Sequence, residues 1–477
     1  MLLHLLLIAA SAQSVPSPDA LARRAQEDLK MERYSAACQK LELAVKASPR
    51  NASFWFLLGI ARSKLAQEAP AIAAFEKSVA IDPHQAPAYF NLGILYGYRG
   101  DTAKAIEVYK QGLRITPDDL PANQNYAFLL LKTKRFREAI ESLRKLKKAN
   151  ASNVPARTEL IECYWKSGMT TEAERETQEF LNSASVSDTD RLGLAKMLME
   201  DGEPSAAQKV LEHLVASSPS SAEGHGKLGL LLSNEGQFEE AARQLGRAVQ
   251  LAPDVAEYSM GLAQVLLLWG HSPTALDFLM AVKPRFDQLP EFHYDMALAY
   301  FGMHKFDKSI KVLQELDGQH PGLSQVHYLL GNSYFALGDL QDAELQYRKA
   351  IEIDPRKAIY YSALALLLRK RGTENADERI RLLQKALALN PSDVQSKLEL
   401  GLCYEGMKKL GKAQALLERV VSSEPKLLQA HVALARVYYR LGKKEQGDQE
   451  GSTIARLEEE QRLEQSRIRE SFPSPRR

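Results

Sequence analysis

Apolar residues recur along the chain at the spacing of α-helices, and no stretch shows the alternation expected of a β-strand. Within this pattern small residues return at multiples of 34 residues, with one longer step of 36 between Ala365 and Gly401. The first series is Ala25, Gly59, Gly93, Ala127, Ala195, Gly229, Ala263, Ala297, Gly331, Ala365, Gly401 and Ala435. A second series lies twelve residues behind it, at Ala37, Ala71, Ala105, Ala139, Ala173, Ala207, Ala241, Ala275, Ala343 and Ala413. Two helices can cross closely only where both facing surfaces carry small side chains, so one helical hairpin is predicted to repeat along the chain.

Proline closes most of the predicted hairpins, because it cannot continue a helix but suits the first turn of the next one. The prolines in phase are Pro49, Pro83, Pro117, Pro219, Pro253, Pro321, Pro355, Pro391 and Pro425. Aromatic residues keep the same phase, at Trp55, Phe75, Tyr89, Tyr96, Tyr109, Tyr164, Tyr300, Tyr334, Tyr347 and Tyr404. This arrangement resembles the tetratricopeptide repeat family, whose motif has W, L, G, Y, A, F, A and P at these spacings. The best-matching units are residues 55–83, 89–117 and 327–355.

The resemblance implies an all-α fold, a right-handed superhelix of about 13 helical hairpins in which each unit stacks on its neighbours. We expect units 1–5 over residues 18–187 and units 6–13 over residues 188–461, with the polar run 182–190 as the join between two blocks. Residues 462–477 form a charged tail that we expect to be disordered, after a helical start that covers the last repeat.

Several positions depart from the repeat. Ile161 replaces the small residue of the fifth unit, and Ala151 and Ser185 stand where proline is expected, so this region is predicted to pack loosely. Ser309 and Arg379 interrupt the alanine series, which requires different packing there. The longer step before Gly401 is most simply absorbed by a turn at residues 372–375.

The first residues read as a secretory signal peptide, predicted over residues 1–12. Met1–Ala10 is almost wholly apolar, and small residues follow at a possible cleavage site. The apolar run is too short for a bilayer core of roughly 30 Å, so we expect no integral membrane segment after cleavage. The predicted location is therefore periplasmic or secreted; a cytoplasmic protein with an uncleaved start is the alternative.

Charge and cysteine content narrow the class of ligand. The 62 basic and 60 acidic residues give a net charge of +2, which argues against nucleic acid as a partner. Cys38, Cys163 and Cys403 fall in distant units, too far apart for disulfides within a rod, and are predicted to be buried, inert thiols. Their spacing supports no metal site.

Two glycine patterns resemble cofactor-binding motifs, but the residues around them do not match those motifs. Gly224, Gly226 and Gly229 match the spacing of a dinucleotide-binding loop, but they lie inside a predicted helix, whereas that loop follows a β-strand. The phosphate-loop pattern around Gly406, Gly411 and Lys412 has Ala413 where magnesium binding needs Ser or Thr. We therefore predict no cofactor, no metal and no enzymatic activity.

The repeat register indicates which side chains of each first helix turn toward the concave groove. In the early units these candidates are Phe56, Ile60, Phe90, Asn91, Ile94, Tyr98, Gln124, Asn125, Phe128 and Trp165. In the later units they are Tyr294, Phe301, Tyr328, Leu329, Asn332 and Phe335. These sets are apolar and aromatic with a few amides, and together they exceed the apolar patch that a monomer usually exposes. The alternative is that the aromatics pack against the next hairpin.

The resemblance adds an expectation for two of the amides. Asn91 and Asn125 resemble the asparagine ladder that holds the backbone of an extended peptide in related superhelices. An amide both donates and accepts hydrogen bonds, which suits any sequence of peptide backbone. The carboxylate clamp of chaperone-binding members is not matched, because Phe56 stands where such a clamp has lysine.

The sequence thus favours a non-enzymatic scaffold that binds an extended, partly apolar protein segment, in envelope or secretory assembly of a bacterial cell. Two alternatives remain open. One is a cytoplasmic adaptor, and the other is a repeat partner of a separate glycosyltransferase. No stretch outside the repeats is long enough to form a second catalytic core in this sequence.

Overall fold

The computed structural model describes residues 16–372 and 376–471, with side chains omitted for 464, 465 and 468–471. The predicted signal peptide, residues 1–12, lies outside the described residues. So do residues 373–375, where most of the predicted turn falls, and residues 472–477 of the predicted tail. The chain divides into two compact units, the first ending at Gly224 and the second beginning at His225. Each unit is described by itself.

The first unit consists of paired helices joined by short turns. In order they are α1 (Pro18–Lys30), α2 (Tyr34–Ala47), α3 (Ala52–Lys64), α4 (Glu68–Ile81), α5 (Ala86–Tyr98), α6 (Thr102–Ile115), α7 (Leu120–Lys132), α8 (Phe136–Ala149), α9 (Val154–Lys166), α10 (Thr170–Leu181), α11 (Asp188–Glu200) and α12 (Pro204–Ser217). Asn51 and Asp119 cap the starts of α3 and α7 with their side-chain oxygens.

The second unit continues the same pattern after α13 (Ala222–Asn234), within which the boundary falls. Its helices are α14 (Phe238–Leu251), α15 (Ala256–Leu268), α16 (Ser272–Phe286), α17 (Pro290–Gly302), α18 (Phe306–Gln319), α19 (Ser324–Leu337), α20 (Leu340–Ile353), α21 (Ala358–Arg371), α22 (Ala376–Leu389), α23 (Val394–Gly406), α24 (Leu410–Ser423), α25 (Leu428–Arg440) and α26 (Lys444–Ser471).

The described residues thus hold 26 helices and no strand. The prediction of an all-α fold of about 13 helical hairpins is confirmed. α26 continues to Ser471, beyond the predicted end of the repeats at residue 461. The placement of the two predicted blocks on either side of residue 187 stays a prediction.

The series of small residues marks the closest helix crossings. A Cβ atom on Gly59 would lie 2.6 Å from the ring of Phe75, and one on Gly331 would lie 2.5 Å from the ring of Tyr347. Real Cβ atoms do not approach that closely, so the aromatic ring of the second helix occupies the space that the missing side chain leaves. The small residue of the first helix and the aromatic ring of the second therefore pack directly against each other.

The departures from the series are accommodated in different ways. Ile161 is fully buried within its hairpin. The hydroxyl of Ser309, also fully buried, donates to the carbonyl oxygen of Ala297 at 3.0 Å and so ties the two helices of its hairpin. Arg379 lies 3.8 Å from the buried carboxylate of Glu399.

Many of the aromatic and polar residues in phase with the repeat serve the fold. At one register position, side chains of different types contact the carbonyl of the residue six places earlier: Trp55 to Pro49, Asn123 to Pro117, Tyr361 to Pro355 and His431 to Pro425. At a second position, tyrosine hydroxyls contact a side chain 20 residues earlier, from the preceding hairpin: Tyr96 with Glu76, Tyr164 with Arg144, Tyr334 with Gln314, Tyr404 with Gln384 and Tyr438 with Glu418. These residues connect neighbouring hairpins, and their side chains are engaged within the chain.

The three cysteines are buried and free, as predicted. Burial raises the pKa of each thiol, that of Cys163 to about 12, so the reactive thiolate form is suppressed at neutral pH.

Candidate functional site

The first candidate surface lies on α5 and α7 of the first unit. Three large apolar side chains predicted for the groove are exposed there: Ile94 at 41%, Tyr98 at 81% and Phe128 at 62%. Gln124 and Asn125, also predicted, are exposed on α7. We call these five residues the α5–α7 surface; it carries apolar and amide groups and no charge.

The other aromatic candidates of this unit are half-buried, because they pack on the second helices of their hairpins. The ring of Phe56 lies 5.8 Å from that of Phe75, and the ring of Phe90 lies 6.3 Å from that of Tyr109. Phe90 also lies over Gly112, where an added Cβ would come within 2.4 Å of it. Ile60 packs against the same core. These side chains contribute to the core as much as to a surface.

The two asparagines of the predicted ladder differ in their partners. The amide nitrogen of Asn91 donates to the carbonyl oxygen of Pro87 at 2.8 Å, within its own helix. The side chain of Asn125 lies close enough to the phenol of Tyr109 to interact with it, and burial raises the pKa of that phenol to about 12. Both amides are therefore partly engaged within the chain, and their remaining hydrogen-bonding capacity is what a peptide backbone could use.

Trp165, the last candidate of the first unit, is half-buried at the end of α9. It lines a cleft together with residues of α10 and α12, and no residue of the α5–α7 surface lines that cleft. The sequence analysis placed Trp165 in one groove with the residues of the α5–α7 surface, whereas in the structure it lines a separate cleft.

The second candidate surface is a cleft of about 440 Å³ in the second unit, which we call the α19–α21 cleft. Three of its lining residues were predicted: Tyr328, Asn332 and Phe335. The rest of its lining was missed: Tyr347, Ala358, Ile359, Ser362, Ala363, Leu366, Asn390, Asp393 and Gln395. Leu366 follows the small residue Ala365 just as Asn332 follows Gly331, so the repeat register carried a signal for it.

Tyrosine rings form the wall of the α19–α21 cleft. The ring of Tyr328 lies 5.1 Å from that of Tyr360 and 6.0 Å from that of Tyr347. The hydroxyl of Tyr347 donates to the side-chain oxygen of Asn332 at 2.7 Å. Burial raises the pKa of Tyr328 and Tyr347, so both phenols stay protonated at neutral pH and can only act as neutral hydrogen-bonding groups.

A cation flanks one predicted residue of this cleft. The ammonium group of Lys370 lies 4.4 Å from the ring centre of Phe335, within the range of a cation–π contact. Ile359 is 53% exposed in the same cleft, so it offers the most accessible apolar surface there.

Three further residues predicted for the groove of the later units are half-buried or buried. Tyr294 is half-buried, and burial raises its pKa to about 12. Phe301 packs edge-on against Phe306, with ring centres 5.3 Å apart. Leu329, expected in the groove, is 3% exposed and lies in the core between α18 and α19, so its assignment to the surface was wrong.

The described part of the chain contains no group of three His, Cys, Asp or Glu side chains placed to hold a metal ion. Within the same residues, no helix combines the length and the apolar character needed to cross a bilayer.

Comparison with known proteins identifies the repeat directly. Five sequence profiles described as "Tetratricopeptide repeat" match residues 23–86 and 227–288, 74–107, 98–152, 324–357, and 394–427. Together these ranges cover more than half of the chain.

Curated relatives match only part of the chain. Superkiller complex protein 3 of Homo sapiens is 29% identical over 97 residues, which are 20% of this chain and 6% of that protein. Stress-induced-phosphoprotein 1 of Caenorhabditis elegans is 35% identical over 86 residues, 17% of this chain and 27% of that protein. The chain thus spans well under a third of the length of either relative. Among solved structures, yeast Tom70 is 16% identical with a TM-score of 0.44, covering 93% of this chain and 96% of that one.

Proposed function

Because the chain belongs to the tetratricopeptide repeat family, we propose that it is a non-enzymatic scaffold for protein–protein interaction. Proteins of this family bind other proteins. The proposed ligand is an extended, partly apolar segment of a partner, bound on the α5–α7 surface, with the α19–α21 cleft as a second contact site.

The exposure of Tyr98 and Phe128 is the observation that carries the proposal. Side chains as exposed as those of Tyr98 (81%) and Phe128 (62%) contribute little to the stability of the fold. Tyr96 and Tyr109, in the same hairpin as Tyr98, are buried. Exposed aromatic residues beside amides are the usual anchors of protein interfaces. Because the surface carries no charge, the partner segment is expected to be apolar with exposed backbone amides.

The test compares capture of partners from cells by wild-type protein and by a Tyr98→Ala/Phe128→Ala variant, with crosslinking and mass spectrometry. Each truncated anchor is expected to cost on the order of 1 to 4 kcal/mol of binding free energy. Helicity should not change, because neither side chain is buried. A Met31→Ala/Leu43→Ala variant is the matched control, since these residues are 70% and 58% exposed on the first hairpin.

Loss of partners with the first variant and retention with the control supports the proposal. Equal retention with both variants contradicts the α5–α7 surface. An Ile359→Ala/Phe335→Ala variant then tests the α19–α21 cleft in the same assay, and retention there as well overturns the groove-binding function.

We further propose that the protein is exported and acts in envelope or secretory assembly. This rests on the apolar run Met1–Ala10 alone. Fractionation of cells that express the full chain tests it: recovery in the periplasmic or secreted fraction is expected, and recovery in the cytoplasm contradicts export. The role as a repeat partner of a glycosyltransferase stays a prediction from the sequence.

A further inference from the structure

Two carboxylates continue the α5–α7 surface into the next hairpin. Glu159 and Glu162 lie on α9, 34 residues after Asn125 and Phe128, and therefore at the same positions of the repeat. Because each hairpin stacks on the one before it, equivalent positions of successive first helices follow one another along one face. The inference drawn from them rests on the proposed function of the α5–α7 surface and specifies its partner.

Neither carboxylate is matched by a cation of the chain. Both side chains are half-buried, and neither forms a hydrogen bond or an ion pair within the described residues. Burial is the main reason that the pKa of each is raised, and no cation acts on Glu159. Lys166 lowers the pKa of Glu162, but its ammonium group lies 2.8 Å from Asp201, whose own charge raises that pKa. Two like charges one turn apart also oppose the helix.

Other enclosed carboxylates of the described chain have partners. Each of four buried ones is matched by two cations: Asp28 by Arg33 and Lys40, Glu176 by Lys147 and Arg157, Glu399 by Arg369 and Arg379, and Glu405 by Arg436 and Arg440. Asp295 has no cation but accepts a hydrogen bond from Gln264. Glu159 and Glu162 differ from all of these, so the fold itself does not account for their charges.

The helix does not account for them either. Glu159 is the sixth residue of α9 and Glu162 the ninth, beyond the first turn in which the helix dipole stabilises negative charge. The start of α9 is already capped by Asn153. A bound metal ion is disfavoured as well, because two carboxylates supply fewer ligands than Ca²⁺ or Mg²⁺ takes, and no third His, Cys, Asp or Glu completes a group among the described residues.

We propose that the α5–α7 surface binds an extended partner segment in which a lysine or arginine stands beside the apolar residues. The apolar side chains of the segment contact Tyr98 and Phe128, and its cation pairs with Glu159 and Glu162. Lysine and arginine both present N–H donors that suit a carboxylate. The same pair of negative charges repels an acidic segment and the phosphates of a nucleic acid, so it also selects the class of partner.

The test begins with a library of random dodecapeptides displayed on phage and selected on the full chain. Selected peptides are expected to combine aromatic or aliphatic residues with lysine or arginine. Each is then synthesised with a fluorescein label, and its Kd is measured by fluorescence polarisation. The proteins compared are wild type, Tyr98→Ala/Phe128→Ala and Glu159→Gln/Glu162→Gln.

The glutamine variant should weaken binding of these peptides roughly fivefold to twentyfold, between the effects of an exposed and of a buried charge pair. Replacing the basic residue of a peptide by glutamine should weaken its binding to wild type by a similar factor and its binding to the glutamine variant hardly at all. The urea midpoint of the glutamine variant should not fall, since it loses unpaired like charges. Glu107→Gln/Glu141→Gln is the matched control, because it removes two charges from exposed positions of α6 and α8 and should leave the Kd unchanged.

The outcomes separate this inference from the function on which it rests. Peptides that require Tyr98 and Phe128 but bind the glutamine variant with wild-type affinity overturn the inference and leave the proposed function standing. Equal weakening by the control variant also overturns it, since net charge alone would then explain the effect. Selection of no peptide that depends on Tyr98 and Phe128 contradicts the α5–α7 surface, and the inference with it.

Discussion

Asp295 is an almost fully buried carboxyl group, 1% exposed on α17 and next in the chain to Tyr294. Its pKa is raised to about 7: burial is the main cause, a hydrogen bond from Gln264 partly opposes it, and the nearby charge of Glu291 adds to it. A carboxyl group of this kind binds a proton in the folded chain at pH values where it has lost it in the unfolded chain.

The stability of the second unit is therefore predicted to depend on pH through this residue. Between the unfolded pKa of 3.8 and the folded value of about 7, the folded state binds more protons, so the free energy of unfolding falls as pH rises. The loss reaches roughly 4 kcal/mol at most, at 1.36 kcal/mol per pKa unit. Asp295→Asn should remove this fall, which urea unfolding at about pH 4.5 and about pH 7.5 measures.

The control is Asp307→Asn, at an exposed position of α18 in the same unit. Its unfolding free energy should follow the wild-type pH dependence. Identical pH profiles for wild type and Asp295→Asn would show that Asp295 titrates at an ordinary pKa in the folded chain.

At the scale of the helical hairpin, truncation of Ile161 tests whether the repeat consensus or the local packing predicts the change in stability. The consensus residue at this position is Gly or Ala, so a rule based on the repeat alone would expect Ile161→Ala to stabilise the hairpin. The side chain is fully buried, however, and its removal leaves a cavity between α9 and α10. We predict that Ile161→Ala destabilises the first unit by about 2 to 4 kcal/mol, measured by denaturant unfolding.

The reciprocal change tests the same argument. Ala127 holds the equivalent place in the preceding hairpin and is 1% exposed, so Ala127→Ile should destabilise by about 1 to 3 kcal/mol through overpacking. A stabilising effect of Ile161→Ala would mean that the α9–α10 crossing relaxes to the consensus spacing.

The helices of the repeats could be predicted from sequence because each depends on a local contact with a fixed register. The fit between Gly59 and Phe75 is one such contact, and it recurs between Gly93 and Tyr109. The extension of α26 to Ser471 could not be predicted in this way. It lies beyond the last repeat, so no recurring small residue marks it, and its polar sequence shows no apolar stripe.

Only part of the candidate site could be predicted from the repeat register. The register indicates which face of a helix a side chain occupies, but the neighbouring helix decides how much of that side chain stays exposed. Phe90 and Phe128 were predicted alike, yet Gly112 leaves space for the ring of Phe90 to fold onto α6, while Phe128 is 62% exposed. The lining of the α19–α21 cleft was missed at Ile359, because a single aliphatic residue there carries no distinctive signal, and at Leu366, although its place after Ala365 matches that of Asn332 after Gly331.

At the scale of the whole molecule, protection against hydrogen exchange is predicted to be uneven within the first unit. A repeat array opens locally, and the cost of opening a hairpin depends on its contacts with its neighbours. The hairpin α5–α6 buries the rings of Tyr89, Tyr96 and Tyr109. The hairpin α9–α10 instead borders an open cleft and leaves Trp165 Nε1 and Thr177 Oγ1 without partners, so less free energy opposes its opening.

We therefore expect backbone amides of α10 to exchange at least about tenfold faster than those of α6, measured by mass spectrometry on the full chain. Ile161→Ala should accelerate α10 further without affecting α6. Equal protection of α6 and α10 in the free protein would contradict this explanation, because it would show that the unpartnered atoms and the cleft do not lower the local stability of their hairpin.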